Sequence, residues 1–189
     1  MSIAPARHLI VSPRSHLLGG LLMLGVGGPC VAAESNVLVP PSSAQPLDFG
    51  HAVAVEAAWV AVGAPFEEDS RGAVYMFECQ QRQCLPPVRI ESPDPRDKSS
   101  FGAALALSAG KLVVGSPERG RGVVDVFVRQ GDQWLHQDEL VAFNGGGDAR
   151  FGAALALQAD QLLVGAPRSD SGRGAVYAFS YSGGTWSQA

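Results

Sequence analysis

The sequence is short of charge, of cysteine and of long apolar runs, and each shortage excludes a class of protein. Only 17% of the 189 residues are charged, and the 14 Lys and Arg form no cluster against 18 Asp and Glu, so nucleic acid is not an expected partner. No apolar run reaches the roughly 20 residues that a membrane-spanning helix needs. Catalytic and ligand motifs are also missing. The segment Gly115-Ser116-Pro117-Glu118-Arg119-Gly120 lacks the G-x-S-x-G form, and no nucleophile, base and orienter assemble, so no catalytic residue is assigned and no enzyme is expected. Asn144-Gly145-Gly146-Gly147-Asp148 leads into no helix pattern and reads as a turn rather than a phosphate loop. Arg-Gly-Asp and N-x-S/T are absent. What the chain does have is 46% hydrophobic residues, enough for a packed core, and 23 Gly with 13 Pro, which favour many turns over long helices.

Residues 1–33 carry Arg7 and Arg14, no acid, and an apolar, Gly-broken stretch from Leu17 to Gly28, the layout of a secretory signal. Val31-Ala32-Ala33 supplies small residues for cleavage after Ala33, leaving Glu34 as the new N-terminus and no membrane span. A retained anchor, or a lipid on Cys30, is the less favoured alternative. The mature chain, residues 34–189, then has 12 basic and 18 acidic residues and is expected to be exported: secreted, periplasmic or at the cell surface.

Cys79 and Cys84 remain, in CQQRQC. In an oxidising compartment such a pair is most simply a disulfide across a hairpin. A metal site would need further Cys or His nearby, and His51 and His136 are each isolated.

The body of the chain repeats with a period near fifty residues, the mark of arrays, solenoids or propellers. FGAALAL occurs at 101–107 and 151–157, and FGHAVAV stands at 49–55. Fourteen residues after each Phe comes a Gly-small-Pro triplet: Phe49-Gly50 precedes Gly63 and Pro65, Phe101-Gly102 precedes Gly115 and Pro117, and Phe151-Gly152 precedes Gly165 and Pro167. Apolar runs GAVYMF, GVVDVF and GAVYAF follow, and seven residues past each final Phe stand Cys84, Trp134 and Trp186. Only the loop after the triplet changes length, seven residues in the outer copies and five in the middle one, which marks it as a surface connection. Each copy reads as four short strands, with motifs near 49–98, 99–148 and 149–189. In the third strand both faces are apolar, as in a sheet sandwiched between two others, and Asp125 replaces Tyr75 and Tyr177 on one of them. Gly and Ala in the first strand suit the crowded axis of a propeller.

These words in constant register resemble FG-GAP repeats, the blade units of the integrin alpha-like β-propeller, and in particular the bacterial form in which a Tyr-x-Phe strand and a Trp precede the next FG. The resemblance covers roughly residues 37–189. It implies an all-β fold, a partial β-propeller of about three four-stranded antiparallel blades. It also implies a secreted or surface-exposed protein used in adhesion, ligand binding or as an accessory module. Calcium-binding copies in that family carry an acidic loop between the first two strands. Here the loops read EAAW, SAGK and QADQ, so no metal or other cofactor is expected. Glu67, Glu68 and Asp69 read as a solvated acidic loop, with a weak cation patch as the alternative.

Propellers close with four to eight blades. With three FG starts here, the ring is open, completed by missing sequence or by self-association, or capped by a partner. Val37-Leu38-Val39-Pro40 falls at the fourth-strand offset before the first FG. The expected function is non-enzymatic recognition or adhesion, with a protein or glycan as ligand. The alternatives are an accessory of an extracytoplasmic enzyme, with His51 near a channel mouth, and a truncated remnant. His136 is expected on the surface.

Overall fold

The computed structural model describes residues 37–41, 48–80, 83–143 and 148–189, and residues 36–189 form one compact unit. The proposed signal with Ala33 and Glu34, Cys30, and the glycines 145–147 lie outside the described residues. Among the described residues, thirteen strands form three separate antiparallel sheets, none closed into a barrel. Blade 1 consists of β1 (Val53–Glu56), β2 (Trp59–Ala64), β3 (Ala73–Gln80) and a fourth strand in two pieces, β4 (Gln83–Cys84) and β5 (Val88–Ile90). Blade 2 is β6 (Ala104–Ser108), β7 (Lys111–Ser116), β8 (Val123–Gln130) and β9 (Gln133–Leu140). Blade 3 is β10 (Ala154–Gln158), β11 (Gln161–Ala166), β12 (Ala175–Ser182) and β13 (Thr185–Gln188). The all-β, four-stranded blade reading holds, with the split fourth strand of blade 1 as its one variation. The Cys79–Cys84 disulfide joins paired residues of β3 and β4. Among the described residues, no helix is long and apolar enough to cross a membrane.

The repeat spacing has a hydrogen-bonding cause. The amide of each FG glycine donates to the carbonyl of its triplet glycine, Gly50 to Gly63 at 3.0 Å, Gly102 to Gly115 at 3.1 Å and Gly152 to Gly165 at 3.1 Å. A residue gained or lost in the hairpin between them would shift the pairing and turn the apolar set to the wrong face. The FG phenylalanines then pack edge-on against the third strand of their own blade: Phe101 on Phe127 at 6.1 Å, and Phe151 on Tyr177 at 5.5 Å and Phe179 at 5.9 Å.

Alternation in the strands gives each blade two apolar faces, and successive blades bury them against each other. Ala61, Val74 and Met76 of blade 1 share a core with Phe101, Leu112, Val114 and Phe127 of blade 2. Val113, Val124 and Val126 of blade 2 share another with Phe151, Leu162, Val164, Tyr177 and Phe179 of blade 3. The triplet glycines are explained by close approach. A Cβ on Gly63 would lie 2.1 Å from the Gly102 carbonyl oxygen, and one on Gly115 would lie 2.1 Å from that of Gly152. Only glycine lets the next blade's backbone come so near.

Candidate functional site

In each blade the hairpin between the first and second strands and that between the third and fourth lie at one end of the sheet, and the triplet loop lies at the other. At the hairpin end, between blades 1 and 2, an open cleft of about 500 Å³ is lined by Glu56, Trp59, Glu78, Gly110, Arg129 and Trp134 among others. Each side chain has a positional cause. Trp59 opens β2 and pairs with Glu78 across the sheet. Trp134, near the start of β9, meets Trp59 edge-on at 5.7 Å. The Arg129 guanidinium, toward the end of β8, lies over the Trp59 ring at 5.3 Å. The Glu56 carboxylate crosses the junction and accepts from the amides of Ala109 and Gly110 in the blade 2 turn. The indole Nε1 of Trp134 is buried without a hydrogen-bond partner. Two indoles, a guanidinium and two carboxylates therefore share one recess, offering apolar rings beside donors and acceptors.

The 2–3 junction uses the same positions with different chemistry. Lys111 stands where Trp59 does and lies 5.0 Å from the Tyr181 ring centroid, Tyr181 standing where Arg129 does. Ser108, the counterpart of Glu56, accepts from the amide of Ala159 at 3.1 Å. Gln137 donates to the Tyr181 hydroxyl at 2.7 Å. It can do so because β9 shifts register opposite Val126 and Phe127, leaving one extra residue in the fourth strand.

At the triplet end each blade carries a buried polar pair. The Tyr75 hydroxyl donates to Glu67 at 2.8 Å, and Glu67 also accepts from Arg89 at 2.9 Å. In blade 2 the equivalent positions are Asp125, Arg119 and Glu139, with Arg119 3.0 Å from Glu139 and 3.9 Å from Asp125. In blade 3 the Tyr177 and Ser169 hydroxyls are 3.0 Å apart. Burial, reinforced by the hydrogen bond to Glu67, pushes the Tyr75 phenol up to about 12. Burial also pushes the Asp125 carboxyl up, against the opposing pull of His136 and Arg119. Hydrogen bonds from Arg96 and Arg119 hold Asp94 below the usual carboxylate range.

The expected residues fall as follows. His51 stays on the surface, 2.6 Å from Asp48 and edge-on to Phe66, with a local partner. His136 is exposed, as expected, yet its ring also comes within 3.0 Å of buried Asp125, because the register shift in β9 turns it onto the blade face. The acidic loop is not simply solvated. Glu67 is buried, and Arg89 pairs with Glu67, Glu68 and Glu91. Trp59, Glu56, Glu78 and Arg129 were not singled out by the sequence reading. The available signal was Trp59 itself, an indole where the other copies carry Lys111 and Gln161.

No curated protein matches the chain. The family model described as the FG-GAP repeat matches residues 134–179, from Trp134 at the start of the blade 2 outer strand to Phe179 in β12 of blade 3. That span contains one FG, one triplet and the apolar run after it, and the same three words recur in register on all three sheets. Residues 134–179 are an FG-GAP repeat, and its words recur in register in the other two blades.

Proposed function

We propose that the chain is an exported, non-enzymatic recognition module that holds a glycan in the cleft between blades 1 and 2. The observation that carries this reading is the lining of the cleft. A sugar ring offers a C–H face to indoles such as Trp59 and Trp134, and hydroxyls on its edge to Glu78 and Arg129. Export is supported by the signal-like N-terminus and by the disulfide, which persists in an oxidising compartment. The reading needs no cofactor, because direct hydrogen bonds and stacking supply the contacts.

Titrating oligosaccharides while following tryptophan fluorescence tests this reading. Trp59 and Trp134 line the cleft and should report occupancy. Glu78→Gln and Arg129→Ala should each weaken binding by about tenfold, the ~1.4 kcal/mol expected of one hydrogen bond to a charged group. Saccharides that bind with unchanged affinity to both variants, or that do not bind at all while a protein ligand does, would sink the glycan reading.

A further inference from the structure

The two junctions within the chain define a set of mating parts, and one unmated copy of each part is left over. At the 1–2 junction a Cβ on Gly72 would lie 2.1 Å from the Phe101 carbonyl oxygen, and at the 2–3 junction one on Gly122 would lie 2.1 Å from that of Phe151. Gly63 and Gly115 receive the FG glycines in the same way. Blade 3 keeps both glycines, Gly165 and Gly174, yet they meet only their own blade, at 3.1 Å from Ala154 and 3.3 Å from Pro167. The complementary part, Phe49-Gly50, stands at the other end of the array. A Cβ on Gly50 would have nothing within 4 Å, whereas one on Gly102 would be 2.8 Å from the Ala73 carbonyl oxygen.

The apolar faces tell the same story. Val113 and Val124 of blade 2 are 0% exposed under blade 3, while the equivalent Leu163 and Val176 of blade 3 are 48% and 69% exposed. On the opposite face of the array, Val53 and Val55 are 66% and 70% exposed. Their counterparts Leu105 and Leu107 pack into the 1–2 core.

Strand pairing gives the register. Ile90 pairs with Val74 and Leu140 with Val124, each standing eleven residues before the next FG phenylalanine. In blade 3 the fourth strand pairs no further along β12 than Gln188 opposite Phe179, so among the described residues no strand lies opposite Val176. Leu38 stands eleven residues before Phe49 and already packs against the Val62, Tyr75 and Phe77 face of blade 1.

We propose that two copies of this chain associate head to tail, the blade 1 end of each seated on blade 3 of the other. Val37–Val39 of one copy then extends the open edge of β12 in its partner, with Leu38 opposite Val176. Phe49-Gly50 enters the place kept clear by Gly165 and Gly174, and exposed Gln158 takes the role of Glu56 and Ser108 at the Ala57 turn. Such a heterologous contact either closes into a ring or runs on as a filament. Two copies of the three described blades give six, inside the range of four to eight in which propellers close, and three copies would exceed it.

Light scattering on the full chain tests the proposal. The expected mass is twice that of one chain, falling to half on Val176→Asp with an unchanged circular dichroism spectrum, because Val176 is exposed in the single chain. A Leu38→Cys, Val176→Cys double variant should form a covalent dimer on oxidation that reductant dissolves. A wild-type chain that stays single at high concentration, a mass above two chains, or a dimer indifferent to Val176→Asp would overturn it. So would a Leu38→Cys, Val176→Cys variant that forms no covalent dimer on oxidation.

Discussion

Tyr75 is fully buried, and that burial sets its acid–base behaviour. Its phenol is buried and donates to Glu67, so the folded chain favours the protonated form and ionisation waits until about pH 12. The unfolded chain loses that proton near pH 10, so the stability Tyr75 contributes is complete below about pH 10 and is lost as pH rises through about 12. A phenolate absorbance titration should show a late step near pH 12 that disappears in Tyr75→Phe. A late step that survives the substitution would place the high-pH group elsewhere. Asp125 illustrates a limit of residue-by-residue reading. Its burial followed from strand alternation, since Val123, Asp125 and Phe127 share a face. Its contact with His136 did not, because one extra residue in β9 decides which way His136 turns.

At the scale of the strand and loop, blades 1 and 2 hold the same ion pair with its charges exchanged. Glu67 with Arg89 lies 2.8 Å apart in one, and Arg119 with Glu139 lies 3.0 Å apart in the other. The position two after the triplet Pro and the outer-strand position opposite Tyr75 or Asp125 therefore form one coupled unit. Glu67→Arg alone should cost about 3–5 kcal/mol in urea unfolding, because it sets a buried cation beside Arg89 where an anion stood. Adding Arg89→Glu should recover most of that loss. A double variant no more stable than the single would show that the two positions are independent. Much of this level was legible in advance. The FG and triplet words recur at constant spacing because a hairpin hydrogen bond joins Gly50 to Gly63 and its equivalents. The cleft was not legible, since Trp59 and Trp134 come together only when two sheets stack, and strand periodicity says nothing of which blade edge meets which.

Across the whole molecule, stability belongs to the junctions rather than to the blades. Phe101 is fully buried in a core built from two sheets, and Phe151 in the next. Phe101→Ala should lower stability by about 3–5 kcal/mol. Because neighbouring blades share their cores, tryptophan fluorescence and circular dichroism should shift together along the urea axis. A variant in which only one probe moves would mean that the blades unfold separately. The polar contacts between blades have a further consequence for folding. Two segments reading FGAALAL present the refolding chain with interchangeable first strands, and a swap would satisfy the apolar pattern equally well. The partners differ, however: a carboxylate from Glu56 meets the turn at Ala109, while a hydroxyl from Ser108 meets the turn at Ala159, and Gln137 reaches Tyr181 in blade 3. These unlike latches give near-identical repeats an address, so that a misthreaded strand forfeits its hydrogen bonds even where its hydrophobic fit is intact.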